Sequence, residues 1–119
     1  MNGTYQYNFT GKFKGTSNEI KILALGKGKI KLAFDLTYPY IDATGGLTAN
    51  VGTLEGIADI SGDIATYSSN EFGDCKITIT FVKPGTIEAT QYGGSACGFG
   101  HNVSANGTYK KVTGVKPKI

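Results

Sequence analysis

Apolar and polar residues alternate along most of this chain, and the alternation breaks at clusters of Gly, Asn, Ser, Asp and Pro. A period of two predicts β-strands, and the breaks predict the turns between them. The first strand is read over Thr4 to Lys14, with Tyr5, Tyr7, Phe9 and Phe13 on one face and Gly11 marking an inward bend. After Gly15 to Asn18, strands over Glu19 to Leu25 and Lys29 to Tyr38 flank Gly26-Lys27-Gly28. That three-residue loop predicts a hairpin pairing Ala24 with Ile30, Ile22 with Leu32 and Ile20 with Phe34.

Pro39 to Gly46 interrupts the pattern and reads as a longer loop. Leu47 to Ile60 is a long strand whose Gly52 and Gly56 give it the spacing of a sheet that must bend. A turn at Ser61-Gly62-Asp63 leads to Ile64 to Ser68. Alternation alone leaves either Ile64 and Thr66 or Ala65 and Tyr67 facing inward, and a two-residue turn favours Tyr67 packed over Gly56. Beyond the polar loop Ser69 to Asp74, a hairpin around Lys83-Pro84-Gly85 matches Phe81 to Ile87, Ile79 to Ala89, Ile77 to Gln91 and Cys75 to Gly93. The closing strand is read over Val103 to Val112.

Strand follows strand with no helical stripe between them, so the expected fold is all-β. It is an antiparallel up-and-down barrel or strongly curled sheet of about eight strands, a lipocalin-like small barrel. Length fits one domain over residues 1–112, with a flexible tail over 113–119. Asn2-Gly3-Thr4-Tyr5 recurs as Asn106-Gly107-Thr108-Tyr109. Matching segments at the two ends predict a seam where first and last strands pair. If the sheet stays open instead, a self-complementary edge would make a homodimer.

Cys97 lies four residues past Gly93, within reach of Cys75, so the hairpin register predicts a disulfide closing the loop between them. Two buried thiols in a cytosolic protein are the alternative. An oxidising compartment makes the protein secreted or periplasmic, although the N-terminus MNGTYQYNF lacks the basic and apolar regions of a signal peptide. No membrane-spanning run is present.

Net charge is +3, but it is unevenly placed. Residues 12–31 carry six lysines and one glutamate, residues 32–74 carry seven acids and no lysine, and residues 75–119 carry six lysines and Glu88. If the terminal strands meet, the two basic segments become neighbours and the acidic stretch lies opposite. No nucleic-acid partner is expected: the lysines alternate away from the aromatics, arginine is absent, and the acidic middle opposes a polyanion.

Catalytic chemistry finds little purchase. Cys97 and His101, with Asn102 as orienter, have the residue types of a nucleophilic dyad, but the disulfide register claims the thiol. Asp74, Cys75, Cys97 and His101 hold four metal-ligand types without metal-site spacing. Glu55 with Asp59, or Asp63 with Asp74, reads as solvated surface, and the Gly-rich turns join strands and do not open helices. The sequence therefore predicts a non-enzymatic binding module with no cofactor and no metal.

Two binding modes fit. In one, an unknown protein partner meets the Tyr38 to Gly46 and Gly93 to His101 loops, with Tyr40, Asp42, Phe99 and His101 as contact residues. In the other, a small apolar ligand enters an aromatic pocket lined by Tyr5, Tyr7, Phe9, Phe34 and Tyr38. Interior volume discriminates them: a filled barrel leaves the ligand nowhere to go.

The run Gly56-Ile57-Ala58, Ala65-Thr66-Tyr67, Cys75 to Ile79, Cys97-Gly98-Phe99-Gly100 and Gly107-Thr108-Tyr109 resembles a class of small bacterial secreted or lipid-anchored β-barrel domains. The resemblance covers about residues 50–111 and implies a barrel and a disulfide, with no activity attached. Ser61-Gly62 and Tyr67 are distantly similar to an element of the periplasmic C-type lysozyme inhibitors, though with different spacing and without their tryptophan. That similarity gives the protein-partner reading a concrete case, an inhibitor of a cationic cell-wall hydrolase.

Overall fold

A computed structural model describes residues 1–119, all but the side chain of Ser95. Eight strands follow in order: β1 (Gly3–Asn8), β2 (Ser17–Gly26), β3 (Lys29–Ile41), β4 (Leu47–Ser61), β5 (Ile64–Ser69), β6 (Cys75–Lys83), β7 (Thr86–Tyr92) and β8 (Gly107–Thr113). Each is antiparallel to the next, and β8 returns to β1, closing an up-and-down barrel. Among the described residues no helix is long and apolar enough to cross a membrane.

Both hairpin registers follow the alternation. Ile20↔Phe34, Ile22↔Leu32 and Ala24↔Ile30 pair across β2 and β3, and Ile77↔Gln91, Ile79↔Ala89 and Phe81↔Ile87 across β6 and β7. A one-residue slip would turn every one of these side chains outward, so burial itself fixes the pairing. Ile20, Ile22, Ile30, Leu32, Leu36, Ile77, Ile79 and Ile87 are fully buried and, with Tyr5 and Tyr109, fill the interior. On β5, Ala65 and Tyr67 face inward, and the Tyr67 ring lies over Gly56, where a Cβ would overlap it.

Tight turns gather at one end of the barrel and long connections at the other. Phe81 N–H donates to the Asp63 carbonyl (2.8 Å), Ile60 N–H to Gly28 (2.8 Å) and Lys111 N–H to Gly85 (2.8 Å), lacing the tight-turn end. At the long-loop end, Cys97, Phe99, Val103 and Ala105 are buried and plug the opening.

Three boundaries and one inward position differ from the sequence reading. β1 stops at Asn8, and a 3₁₀ turn at Gly11–Phe13 replaces the outer half of the expected strand, taking Phe13 out of the inward row. Ala24, in register with Ile30, lies exposed at the tight-turn end. The last strand begins at Gly107, because Val103 and Ala105 serve in the plug. Pro39 to Ile41 is strand, not loop: β3 pairs with β4 as far as Ile41↔Leu47, leaving only Asp42 to Gly46 as the tip. Proline is tolerated there for a directional reason. Thr37 N–H points away from β4 to the Asn18 side-chain oxygen (2.8 Å), and two residues on Pro39 faces the same side, where no ladder bond is lost.

The repeated Asn-Gly-Thr-Tyr segments are two copies of one device. Gly3 and Gly107 take φ of +150° and +147°, a conformation open to glycine. The Asn before each caps the neighbouring strand: Asn2 Oδ1 accepts from Ala24 N–H (2.6 Å) and Asn106 Oδ1 from Gln91 N–H (2.6 Å). The Tyr after each donates its hydroxyl to a carbonyl four residues back, Tyr5 to Met1 (3.0 Å) and Tyr109 to Ala105 (2.9 Å). Across the seam, Lys111 lies over Gly3 and reaches the Tyr5 ring, its Nζ 5.4 Å from the centroid. Tyr7 correspondingly lies over Gly107 against Tyr109, 6.1 Å between centroids. The seam thus has a local two-fold character built from sequence identity.

Two outcomes follow from this packing. Gly56→Ala forces the Tyr67 ring aside and should cost about 1–3 kcal/mol in urea denaturation, whereas Gly114→Ala, with open space around it, should be nearly neutral; equal effects would refute the ring-on-glycine account. Burial drives the Tyr109 phenol well above its ordinary 10.0, outweighing the Asn18 hydrogen bond that lowers it. A raised phenol stabilises the fold fully below its ordinary value, and that contribution is lost as pH rises above it. Phenolate absorbance should therefore show a step that lags until the barrel unfolds, absent in Tyr109→Phe, which also loses about 1 kcal/mol; an unchanged titration in that variant would contradict the assignment.

Candidate functional site

β3 and β4 outrun their neighbours. β2 pairs with β3 no further than Glu19↔Asp35, and β5 meets β4 only from Asp59 onward. Leu36–Ile41 and Leu47–Gly52 therefore form a two-stranded arm extending the barrel at its long-loop end, in a molecule 51 × 32 × 24 Å across. One arm face carries Tyr38 and Tyr40, stacked at 6.4 Å. The other carries Pro39, Ile41, Leu47, Ala49 and Val51, brought together by Pro39↔Ala49 and Ile41↔Leu47. Leu47 and Val51 are 58% and 63% exposed and Tyr38 39%, so the arm presents an apolar surface to solvent.

The β7–β8 connection is fastened to the base of this arm. Gly100 N–H donates to the Val51 carbonyl (3.2 Å), and the Asn50 side-chain amide donates to the His101 carbonyl (3.0 Å). Phe99 seats on the bare backbone of Gly52 and meets Phe34 edge to face at 6.4 Å. Cys97 is bonded to Cys75 at the start of β6 with the Cα atoms 4.9 Å apart. Closing that loop contributes about 3 kcal/mol and pins the connection to the barrel wall.

The structure gives the expected contact residues different jobs. Tyr40 stands on the arm and His101 is exposed on the loop docked against it, so these two belong to one end of the molecule. Phe99 is buried and acts as the rivet between loop and arm. Asp42 shapes the tip: its carboxylate accepts from Thr44 Oγ1 (2.7 Å), Thr44 N–H (2.9 Å) and Gly46 N–H (2.9 Å). The Thr44 hydroxyl first, then the two backbone amides, hold this carboxyl below its ordinary value.

The five aromatics expected to line a ligand pocket do not converge on one. Tyr5 and Phe34 are packed into the solid interior. Tyr7 lies at the seam, edge to face with Phe9 at 5.2 Å. Tyr38 is on the arm, where it leaves the inward row of Ile30, Leu32, Phe34 and Leu36. Tyr5, Phe34 and Phe9 each border a different cleft, lined otherwise by wall and loop residues, so none of these clefts gathers the five rings.

Both cysteine sulfurs are committed to the disulfide, which removes the thiolate from the Cys97–His101 pair, as the hairpin register predicts. Charge is also less segregated in space than along the chain. Lys29 forms an ion pair with Asp59 across β3 and β4, and Lys21 pairs with Glu19 at 3.7 Å. Basic and acidic stretches therefore interleave on that wall of the barrel. Below the arm, Asp35 and Glu55 stay exposed on the outer face around a shallow cleft of about 470 Å³, with Lys21 opposite Ala33 on the neighbouring strand.

Compared with known proteins, the chain matches no family model, no curated protein and no solved structure at a significant level. What sequence reasoning missed was the arm itself. The signal was present in Ile41 and Leu47, apolar residues equidistant from an Asp-Ala-Thr-Gly-Gly turn, but Pro39 masked it.

Asp42 supplies a direct check. Its folded value is depressed, so tip order is complete above the ordinary carboxylate range and lost as pH falls through the lower value. Carbon-detected titration should place the Asp42 midpoint below 3.8, and Asp42→Ala should abolish exchange protection of the Thr44 and Gly46 amides without moving the barrel melting temperature. A midpoint at or above the ordinary value would overturn the hydrogen-bond assignment.

Proposed function

We propose that this protein is a non-enzymatic binding module, secreted or periplasmic, that engages a cationic protein partner through the β3–β4 arm and the loop fastened to it. The carrying observation is the contrast between a barrel interior filled by side chains and an arm whose Tyr38, Ile41, Leu47 and Val51 remain in solvent. Monomeric surfaces that leave apolar side chains grouped beyond the body of a fold are typically interaction sites. Asp35 and Glu55 at its base and Asp42 at its tip favour a basic partner through steering and complementarity, although Lys21 and Lys31 stand in adjoining positions of the wall.

A disulfide persists in oxidising compartments, which supports an extracytoplasmic setting. A cell-wall hydrolase such as a c-type lysozyme is the concrete partner class: a strongly basic enzyme with an open cleft into which a narrow two-stranded arm could be inserted.

The test is inhibition and binding titration against a set of basic muralytic enzymes, in wild type and in Leu47→Lys/Val51→Lys. Wild type should bind at one-to-one stoichiometry with affinity that falls as salt is raised, and the double variant should lose roughly tenfold, about 1.4 kcal/mol. Absence of binding to every enzyme in the set would sink the hydrolase reading; undiminished binding by the double variant would move the site off the arm.

A further inference from the structure

We propose that the outer face of β5, β6 and β7 beside the disulfide is a binding site for a neutral saccharide, separate from the arm. Register sets Ser68 opposite Lys76 and Lys76 opposite Tyr92, so three outward side chains stand in one row across three strands. Together with Ser69, Asn70 and Asp74 from the neighbouring connection they line an open cleft of about 480 Å³. Tyr92 is 55% exposed, and the Lys76 ammonium lies 5.9 Å from its ring centroid.

The chemistry of this row is that of sugar recognition. A pyranose has an apolar face of C–H bonds that stacks on an exposed aromatic ring, and a rim of hydroxyls that both donate and accept. Tyr92 offers the ring. Asp74 can accept from adjacent hydroxyls, Lys76 can donate, and Asn70 and Ser68 can do either. Among the described residues no hydrogen bond within the protein occupies the side chains of Ser68, Asn70, Asp74 or Lys76, so these groups are open to a ligand.

The neighbouring polar cleft, of about 340 Å³ around His101 and Ser104, is the instructive contrast. Several of its polar groups are spent internally: Gln91 Oε1 accepts from Ala105 N–H (2.8 Å), Gln91 Nε2 donates to Gly94 O (3.0 Å), and Asn106 Oδ1 accepts from Gln91 N–H (2.6 Å). That cleft also has no tyrosine or phenylalanine ring on its wall.

Charge selects the ligand class. Asp74 and Lys76 cancel, which disfavours a phosphate or a free acid and suits an uncharged sugar. The site is also held in place. Lys76 and Tyr92 lie on paired strands, and the Cys75–Cys97 bond anchors the backbone between Asp74 and Lys76, so little order remains to be imposed on binding.

The test is amide chemical-shift titration of the whole chain with maltotriose, cellotriose and triacetylchitotriose, each to about 10 mM, with adenosine monophosphate and inorganic phosphate as competing chemistries. At least one trisaccharide should give saturable shifts over Ser68 to Lys76 and at Tyr92, with a dissociation constant on the order of 1 mM or tighter. Tyr92→Ala should weaken it roughly tenfold, Tyr92→Phe should hold within about threefold, and Leu47→Lys/Val51→Lys should bind as wild type. Both Tyr92 and Asp74 are exposed, and an unchanged melting temperature will show that the variants fold. No saturable shift with any trisaccharide, shifts that survive Tyr92→Ala, or tighter binding of adenosine monophosphate or phosphate at the same residues would each overturn the assignment.

Discussion

Ring closure between β1 and β8 is the constraint on which the molecule depends, because a sheet that fails to close exposes two unpaired edges and an apolar interior together. The ladder that closes it is short: Gln6↔Lys110 and Tyr5↔Lys111 pair in register, and a bulge then intervenes before Thr4↔Thr113. Backbone bonds alone would be a thin seam. Side chains reinforce it, since each strand contributes a bare glycine onto which the opposite strand lays a long side chain, and a tyrosine against which that side chain rests. The two asparagines then tie the start of each seam strand to its other neighbour. The whole seam is written in one four-residue motif used twice.

The same logic of ring on glycine governs the long-loop end. Gly52 receives Phe99 and Gly56 receives Tyr67, so β4, the longest strand, is held where its ladder to β5 is missing. Were either position to carry a side chain, the aromatic would have to leave the interior. Phe99 in turn is positioned by Cys97, and through Gly100 and Asn50 the loop braces the arm. The disulfide thus holds one end of the loop whose other end is hydrogen-bonded to the base of the arm.

Most of the fold was legible because burial enforces a strict period of two. Wherever both faces of a hairpin were differentiated, as at Ile20 to Phe34 and Ile77 to Gln91, alternation determined the register residue by residue. Tyr67 over Gly56 was legible for a similar reason, since a bulky ring and a missing side chain are complementary. Legibility failed where tertiary direction decided the outcome. Pro39 ends strands when its nitrogen faces a partner and is harmless when it faces an open side, and only the position of Asn18 distinguishes the two. Phe13 and Val103 continue the alternation in sequence yet leave the ladder, one into a 3₁₀ turn and one into the plug. Asn-Gly-Thr-Tyr was visible as a repeat, but its capping and stacking roles depend on residues 15 or more positions away.

A barrel built this way has little freedom to bind anything inside, and that places function on the wall and at the long-loop end. Small barrels either keep a cavity, accepting the loss of interior packing, or fill it and use their loops. Here eight aliphatic side chains and two tyrosines fill the centre, and the long connections that could have formed a lid are consumed as a plug and a brace. The side chains of Asn50, Gln91 and Asn106 near His101 are likewise hydrogen-bonded within the protein. Two surfaces stand out among what remains: the arm, with its exposed apolar side chains, and the Ser68–Lys76–Tyr92 row, with its open donors and acceptors. The two surfaces differ in chemistry, one largely apolar and the other a polar row around an exposed ring, and both lie beside the Cys75–Cys97 bond, Cys97 leading to the arm and Cys75 to the row. A protein that must present two rigid surfaces from a single layer of strands gains more from a filled barrel than from a hollow one.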